Sequence, residues 1–260
     1  MKKIIILYIC IFVFSSSVYA QKLVLRFNTD EFAPFHYSIE GKASGPVVDI
    51  INYACEKLNI DCVYEVLPWR RALKEIKDGD ADGLFVVAKN KSREALLYIS
   101  LPIITTEYGF FVLKSNNAVF KNLDDIQGYN VGVYGPSNTN RALVEISNKL
   151  ETENKKPLNI RVLHDDLLIF KQLNSQNRGL QAVYSNKDVG LNFMRKLNLK
   201  NIKYMGKNKE LDYYIGFSKK TVSKDLVVKF NKVLRNMHQN NELKKILDQY
   251  FLERAHLNKF

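Results

Sequence analysis

An aromatic face and a guanidinium bracket residues 67–93, LPWRRALKEIKDGDADGLFVVAKNKSR. Trp69, the sole tryptophan, stands where a helical pattern begins, and Arg93 lies on a polar loop. A planar guanidinium meets a carboxylate with two parallel hydrogen bonds, and an aromatic ring supplies a stacking wall. These are parts of a small-molecule pocket. Asp30, Phe32 and Phe35 in NTDEFAPF follow a strand pattern and can supply the opposite wall, with either phenylalanine as the facing ring. Phe35 could equally pack the loop onto the core, and Asp30 could serve its turn. Ser137, Asn138 and Thr139 begin another helix, where free N–H groups attract an anion and the same side chains cap the helix. There is no GxSxG, no HExxH and no placed Cys–His pair, so catalysis is not expected. His36, His164, His238 and His256 have no metal-ligand spacing, and no cofactor or metal is expected.

The elements that must position these groups alternate. Residues 23–27 read as a strand, 41–45 as a turn, and 46–58 as a helix opened by Pro46 with Val47, Ile50, Ile51, Ala54, Cys55 and Leu58 on one face. A strand at 63–66, a helix from Pro68 to a stop at Gly79, and the apolar strand 83–88 follow. This β-α-β-α-β order predicts a mostly parallel sheet covered by helices. Residues 108–113 form a further strand, and 114–117 a polar linker. A second α/β pattern then begins: strands at 130–134, 160–163, 180–184, 202–205 and 213–218, with helices between them. The C-terminal part is helical, with Leu226, Phe230, Leu234 and Met237 on one face.

At 260 residues the chain can bury one or two cores. Lys2 and Lys3, an apolar run at 4–14 and small residues ending at Ala20 read as a signal peptide cleaved after Ala20. Cys10 follows bulky Tyr8 and Ile9, so it is not expected to be a lipidation site, and the protein is expected to be periplasmic. Removal of Lys2 and Lys3 lowers the net charge from +12 to +10, because residues 1–20 hold no acid. On an exported chain with dispersed lysines this charge favours anionic ligands, and nucleic-acid binding is not expected. Cys55 and Cys62 are expected to pair in an oxidising compartment.

The order of these motifs resembles the family 3 extracellular solute-binding proteins. The resemblance rests on NTDEFAPFHY, GPVVDIINYACEKLNIDC, PWRRALKEIKDGDADGLF with Arg93, EYGFFVLKS, LDDIQGYNVGVYGPSNT and the ending from YYIGFSKK to LKKILDQYF. It covers essentially the whole mature chain. The resemblance implies a two-lobed periplasmic-binding-protein fold of type 2, with two α/β lobes joined by two crossover strands. Lobe 1 would be 21–113 with 217–260, and lobe 2 would be 114–216. It implies a monomeric receptor that closes over a small solute and delivers it to an ABC permease or a membrane sensor. Arg93 would clamp a carboxylate and Trp69 would stack on the ligand. Ser137–Thr139 and Tyr184 would close the site from the second lobe. Val86, Ala88 and Asn90 stand where relatives carry serines and a threonine. The acid that receives a ligand ammonium in amino-acid binders falls at about Ser185, with Asp188 three residues on. An enzyme on the same scaffold, a dehydratase of cyclic carboxylates, is the alternative, and Glu107 and Glu145 are its candidate acids.

Overall fold

The computed structural model describes residues 22–175 and 179–257. The signal segment and its cleavage point lie outside the described residues. In the first part of the chain, β1 (Val24–Thr29) leads into a hairpin of β2 (Tyr37–Ile39) and β3 (Lys42–Ser44). Then come α1 (Pro46–Lys57), β4 (Asp61–Val66), α2 (Trp69–Asp78) and β5 (Gly83–Ala88). Pro46 sits in the first turn of α1, where its missing N–H costs nothing. Gly79 ends α2 at a left-handed φ of 88°, which suits a residue without Cβ. The chain continues through α3 (Lys91–Leu96), β6 (Leu97–Ile99), β7 (Ile104–Leu113) and β8 (Asn130–Tyr134). Next are α4 (Asn138–Thr152), β9 (Asn159–Leu163), α5 (Asp166–Asn174), β10 (Ala182–Asn186) and α6 (Lys187–Lys196). It ends with β11 (Ile202–Ser218), α7 (Lys224–Gln239), α8 (Glu242–Asp248) and β12 (Glu253–Arg254).

The sheet order is β4-β1-β5-β11-β7-β10-β8-β9. β4, β1 and β5 are parallel, as are β10, β8 and β9. Between these groups β11 and β7 run antiparallel to each other, and each is antiparallel to the group it adjoins. The sheet is therefore mixed, where a mostly parallel one is expected from sequence. Two strands expected at 202–205 and 213–218 are one strand of 17 residues. The polar stretch GKNKELD between them pairs with β7 along its length, which periodicity within a short window does not reveal.

Each group of parallel strands has apolar layers on both faces. On one side of the β1–β5 group, α1, α7 and α8 pack Ile50, Ile51, Phe230, Leu234 and Leu247 against Phe27 and Phe217. On the other side α2 packs Ala72 and Ile76 against Leu84 and Val87. Around the β8–β10 group, Leu143, Ile146 and Leu150 of α4 fill one face, and Ile169, Phe170 and Leu173 of α5 fill the other.

Cys55 of α1 and Cys62 of β4 are bonded, with their Cα atoms 6.3 Å apart. The Cys55→Ser/Cys62→Ser variant is expected to lose roughly 2–3 kcal/mol, the loop-closure entropy of so short a ring. Thermal melting checks this, and reductant should lower the melting temperature of the wild type by the same amount and leave the variant unmoved.

His238 of α7 is buried, and its Nε2 donates to the Pro102 carbonyl at 2.9 Å. Burial lowers its pKa, partly offset by that hydrogen bond. The folded state thus takes up a proton at His238 less readily than the unfolded chain does. The contribution is present above the unfolded pKa of about 6.5 and is lost as pH falls toward the lowered value. Denaturant midpoints should fall between pH 7 and 5, and His238→Gln should flatten that part of the profile.

Candidate functional site

Arg93 lies on a helix, where a loop is expected from sequence. Asn90 caps α3, its side chain accepting from the Arg93 backbone N–H at 2.9 Å and from the Ser92 hydroxyl at 2.8 Å. The cap holds the Arg93 backbone, so the side chain is free to turn inward. Its Nη1 donates to the Ala88 carbonyl at the end of β5, at 2.7 Å. The guanidinium carbon lies 5.3 Å from the Trp69 ring centroid, a cation–π contact. The structure therefore joins the two ends of residues 67–93 directly.

Other elements face the same guanidinium. Its pKa is lowered chiefly by burial and secondarily by the charge of Arg141, while Tyr108, Tyr213 and Asp30 act in the opposite direction. Arginine stays charged at any physiological pH, so the consequence is energetic: a half-buried cation lacks a counter-ion. Among the described residues no carboxylate lies within 4.0 Å of it. The hydroxyls of Tyr108 of β7 and Tyr213 of β11 lie near enough to act on each other's ionisation where the two long strands pair. Burial raises the pKa of both hydroxyls, so both stay neutral donors and acceptors.

Asp30 is half-buried, and its Oδ1 lies 3.5 Å from Nε2 of the fully buried His36. Phe32 is half-buried and Phe35 fully buried; their rings are 5.1 Å apart, and both rest on the Tyr213 ring. Phe35 is thus part of the core, and Phe32 is the ring left to face outward. Tyr184 is also fully buried, donating to the Asn208 carboxamide at 2.9 Å beneath Tyr108 and Phe110. The family resemblance implies a place for it in the wall of the second lobe. In the structure its strand runs two residues further than expected from sequence, and Tyr184 is interior to it.

The turn 137–139 behaves as a helix cap. Ser137 Oγ accepts from the Asn140 N–H at 2.9 Å and donates to the Tyr134 carbonyl at 2.6 Å, with Thr139 Oγ1 2.7 Å away. Asn138 accepts from the Arg141 guanidinium. The strand extension also moves the position expected to hold an acid. Ser185 is buried inside β10, opposite Gly109, and Asn186 ends the strand. Asn186 Oδ1 caps α6 by accepting from Asp188 and Val189 N–H, and its Nδ2 donates to Thr106 and to the Tyr213 hydroxyl at 3.3 Å. A neutral amide stands there, with its polar atoms engaged. Asp188 accepts from Thr106 Oγ1 at 2.6 Å, and burial raises its pKa against that bond. Glu107 is ion-paired with Lys187 at 3.0 Å and Lys207 at 4.0 Å, and Glu145 is exposed on α4. Neither is a buried free acid.

Sequence reasoning missed Arg141, Tyr108, Tyr213 and Asn186. Arg141 carried a usable signal, since it is the fourth residue of the helix that begins at the turn already singled out. The tyrosines carried none, because only the pairing of β7 with β11 brings them together.

Comparison with known proteins bears on this arrangement. None of the curated proteins matches the chain in sequence. Among solved structures, a histidine kinase sensor domain with similarity to periplasmic binding proteins superposes with a TM-score of 0.73 at 13% identity, covering 90% of this chain and 99% of that one. An ancestral arginine-binding protein bound to arginine gives 0.70 at 22%, covering 88% and 98%. The ancestral amino-acid-binding protein AncCDT-1, a precursor of cyclohexadienyl dehydratase, gives 0.70 at 17%, covering 88% and 95%. At these identities the likeness is one of fold, that of the periplasmic binding proteins. The sequence model of the bacterial extracellular solute-binding proteins, family 3, matches residues 25–253, which include both parallel strand groups, the two long strands and every residue around Arg93. With sequence and fold in agreement over nearly its whole length, the chain belongs to the bacterial extracellular solute-binding proteins of family 3.

Proposed function

We propose that this protein is a periplasmic receptor that captures a small carboxylate-bearing solute between two lobes and delivers it to an ABC permease or a membrane sensor. Lobe 1 is 21–113 with 217–260, lobe 2 is 114–216, and the chain is exported by cleavage after Ala20 without lipidation. The observation that carries the reading is Arg93: a half-buried guanidinium laid on Trp69, with no carboxylate of its own among the described residues. A solute carboxylate supplies the missing charge and accepts the fork of N–H donors. Ser137 and Thr139 approach from the other lobe at the start of α4, and hinge closure about β7 and β11 brings the two sides together. Binding without turnover is the simpler chemistry here, because Glu107 is held by two lysines. The neutral Asn186 disfavours a ligand whose ammonium must be buried.

A thermal-shift screen of the purified protein against organic acids, amino acids and small peptides tests the reading. A ligand that binds only the folded state raises the melting temperature. A carboxylate hit is expected, and release of a chemical product from that hit would favour the dehydratase alternative instead.

A further inference from the structure

We infer that the protein carries a second binding site, for a phosphate-bearing group, in a cleft between α1 and α7. The cleft has a volume of about 370 Å³, within the range of small-molecule sites. Two helix faces build it. On α7, Lys229, Lys232, Val233 and Asn236 recur at the three- and four-residue spacing that sets side chains on one face. On α1, Tyr53 and Lys57 stand one turn apart, and Leu58 caps that helix. Asn240, the C-cap of α7, also lines the cleft. The bond from Cys55 to Cys62 pins the end of α1 to β4, which holds the wall carrying Lys57 and Leu58 in place. α1 and α7 pack on the face of the β1–β5 group opposite α2, the helix of Trp69. The cleft therefore shares no residue with the space around Arg93.

The lining carries one sign of charge. Lys57, Lys229 and Lys232 bring three ammonium groups, and no carboxylate lines the cleft. Among the described residues none of the three forms an ion pair or a side-chain hydrogen bond. Lys57 Nζ lies 5.2 Å from the Tyr53 ring centroid, a contact that lays it along the wall. The helix ends do not claim these charges. The carbonyls of Ala54, Cys55 and Glu56 accept from the N–H groups of residues 58–60, and the Asn236 carbonyl accepts from the Asn240 N–H. A cleft lined by like charges focuses its field on an opposite charge. An ammonium is a point charge that suits the oxygens of a phosphate, whereas a planar carboxylate is best met by a guanidinium fork. A dianionic phosphate monoester also meets more of this charge than a monocarboxylate does. Asn240 Oδ1 accepts from the Glu242 N–H at 3.1 Å, which leaves its Nδ2 to donate to a phosphate oxygen. The half-buried Tyr53, Leu58 and Val233 offer an apolar wall to the organic part of the ligand. A soluble organic phosphate and the phosphate headgroup of a lipid present this same chemistry.

Calorimetric titration of the purified protein with glycerol 3-phosphate, and with glycerate as the matched monocarboxylate, tests the assignment. Co-sedimentation with phosphatidylcholine vesicles, with and without phosphatidate, separates the two sources. Exposed ion pairs are individually weak, so three together correspond to about tenfold in affinity. The variant Lys57→Gln/Lys229→Gln/Lys232→Gln is expected to bind the phosphate about tenfold more weakly or worse. Lys171→Gln/Lys196→Gln/Lys200→Gln removes the same charge from exposed positions outside the cleft and should leave binding within about twofold. The three cleft lysines are exposed, so the melting temperature of the unliganded variant should not fall. Binding of glycerol 3-phosphate alone assigns the cleft to a soluble phosphate, and vesicle binding that requires phosphatidate assigns it to a lipid headgroup. Equal losses in the two triple variants would show a general charge effect and overturn the inference. So would glycerate binding as tightly as the phosphate, or binding lost in Arg93→Ala but kept in the cleft variant. If neither the phosphate nor the vesicles bind, the inference falls. A carboxylate bound at Arg93 should be untouched by the cleft variant, so the receptor reading stands or falls separately.

Discussion

Arg93→Ala is expected to weaken binding of the solute by a hundredfold or more. Truncating one partner of a desolvated charge pair costs about 2–5 kcal/mol, and each 1.4 kcal/mol is tenfold in affinity. The loss falls on the ligand because its carboxylate would be buried in the closed site without a counter-charge. Arg93→Lys keeps the charge but loses the planar fork and the stacking on Trp69, so roughly a tenfold loss is expected of it. The fold should tolerate both changes. Asn90 caps α3 through the backbone N–H of residue 93, which every substitution but proline retains. Removing a half-buried cation that lacks an ion-pair partner among the described residues should leave the unliganded melting temperature equal or slightly higher. Calorimetric titration measures the affinity independently of Trp69, whose emission changes when its cation is removed. An affinity unchanged in Arg93→Ala removes this residue from the site.

Phe230→Ala is expected to have the largest effect on stability, about 3–5 kcal/mol. Phe230 is fully buried and meets Phe217 edge-to-face at 4.9 Å, and Phe217 meets Phe27 at 5.8 Å. These rings tie α7 to β11 and β1, so the cavity left by truncation lies between a helix and the sheet and cannot close without moving one of them. A fall in melting temperature of about 10 °C follows for a chain of this size. Val228 is the internal control. It lies two residues away on the solvent face of the same helix, 59% exposed, and Val228→Ala should stay within about 0.5 kcal/mol of the wild type. If the two substitutions cost the same, the rings are not what holds α7.

These two predictions differ in how far they could be read from sequence. Leu226, Phe230, Leu234 and Met237 announce a buried helical face by spacing alone, and Phe230, Leu234 and Met237 are buried. Pro46, Gly79 and the run 83–88 mark their elements to within a residue or two, because capping, breaking and periodicity act over a few positions. Trp69 and Arg93 were legible as chemistry, and the structure places them in contact. The same local signals did not settle burial. Phe35, left open between a site wall and the core, is a core residue, Tyr184 is buried within its strand, and Arg93 reads as a loop residue although Asn90 starts a helix before it.

What the sequence determined by itself is the α/β alternation, most helix and strand positions, the pairing of Cys55 with Cys62 and the presence of an aromatic and a guanidinium within residues 67–93. These follow from local propensity and residue chemistry. Only the tertiary structure decided that β7 and β11 run as a long antiparallel pair, that Tyr108 and Tyr213 come together there, and that Asn186 ends β10 beside Thr106 and the Tyr213 hydroxyl. Those residues are far apart in the chain. Their meeting depends on which strands pair and in what register, a choice governed by the packing of whole layers, which no short window of sequence contains.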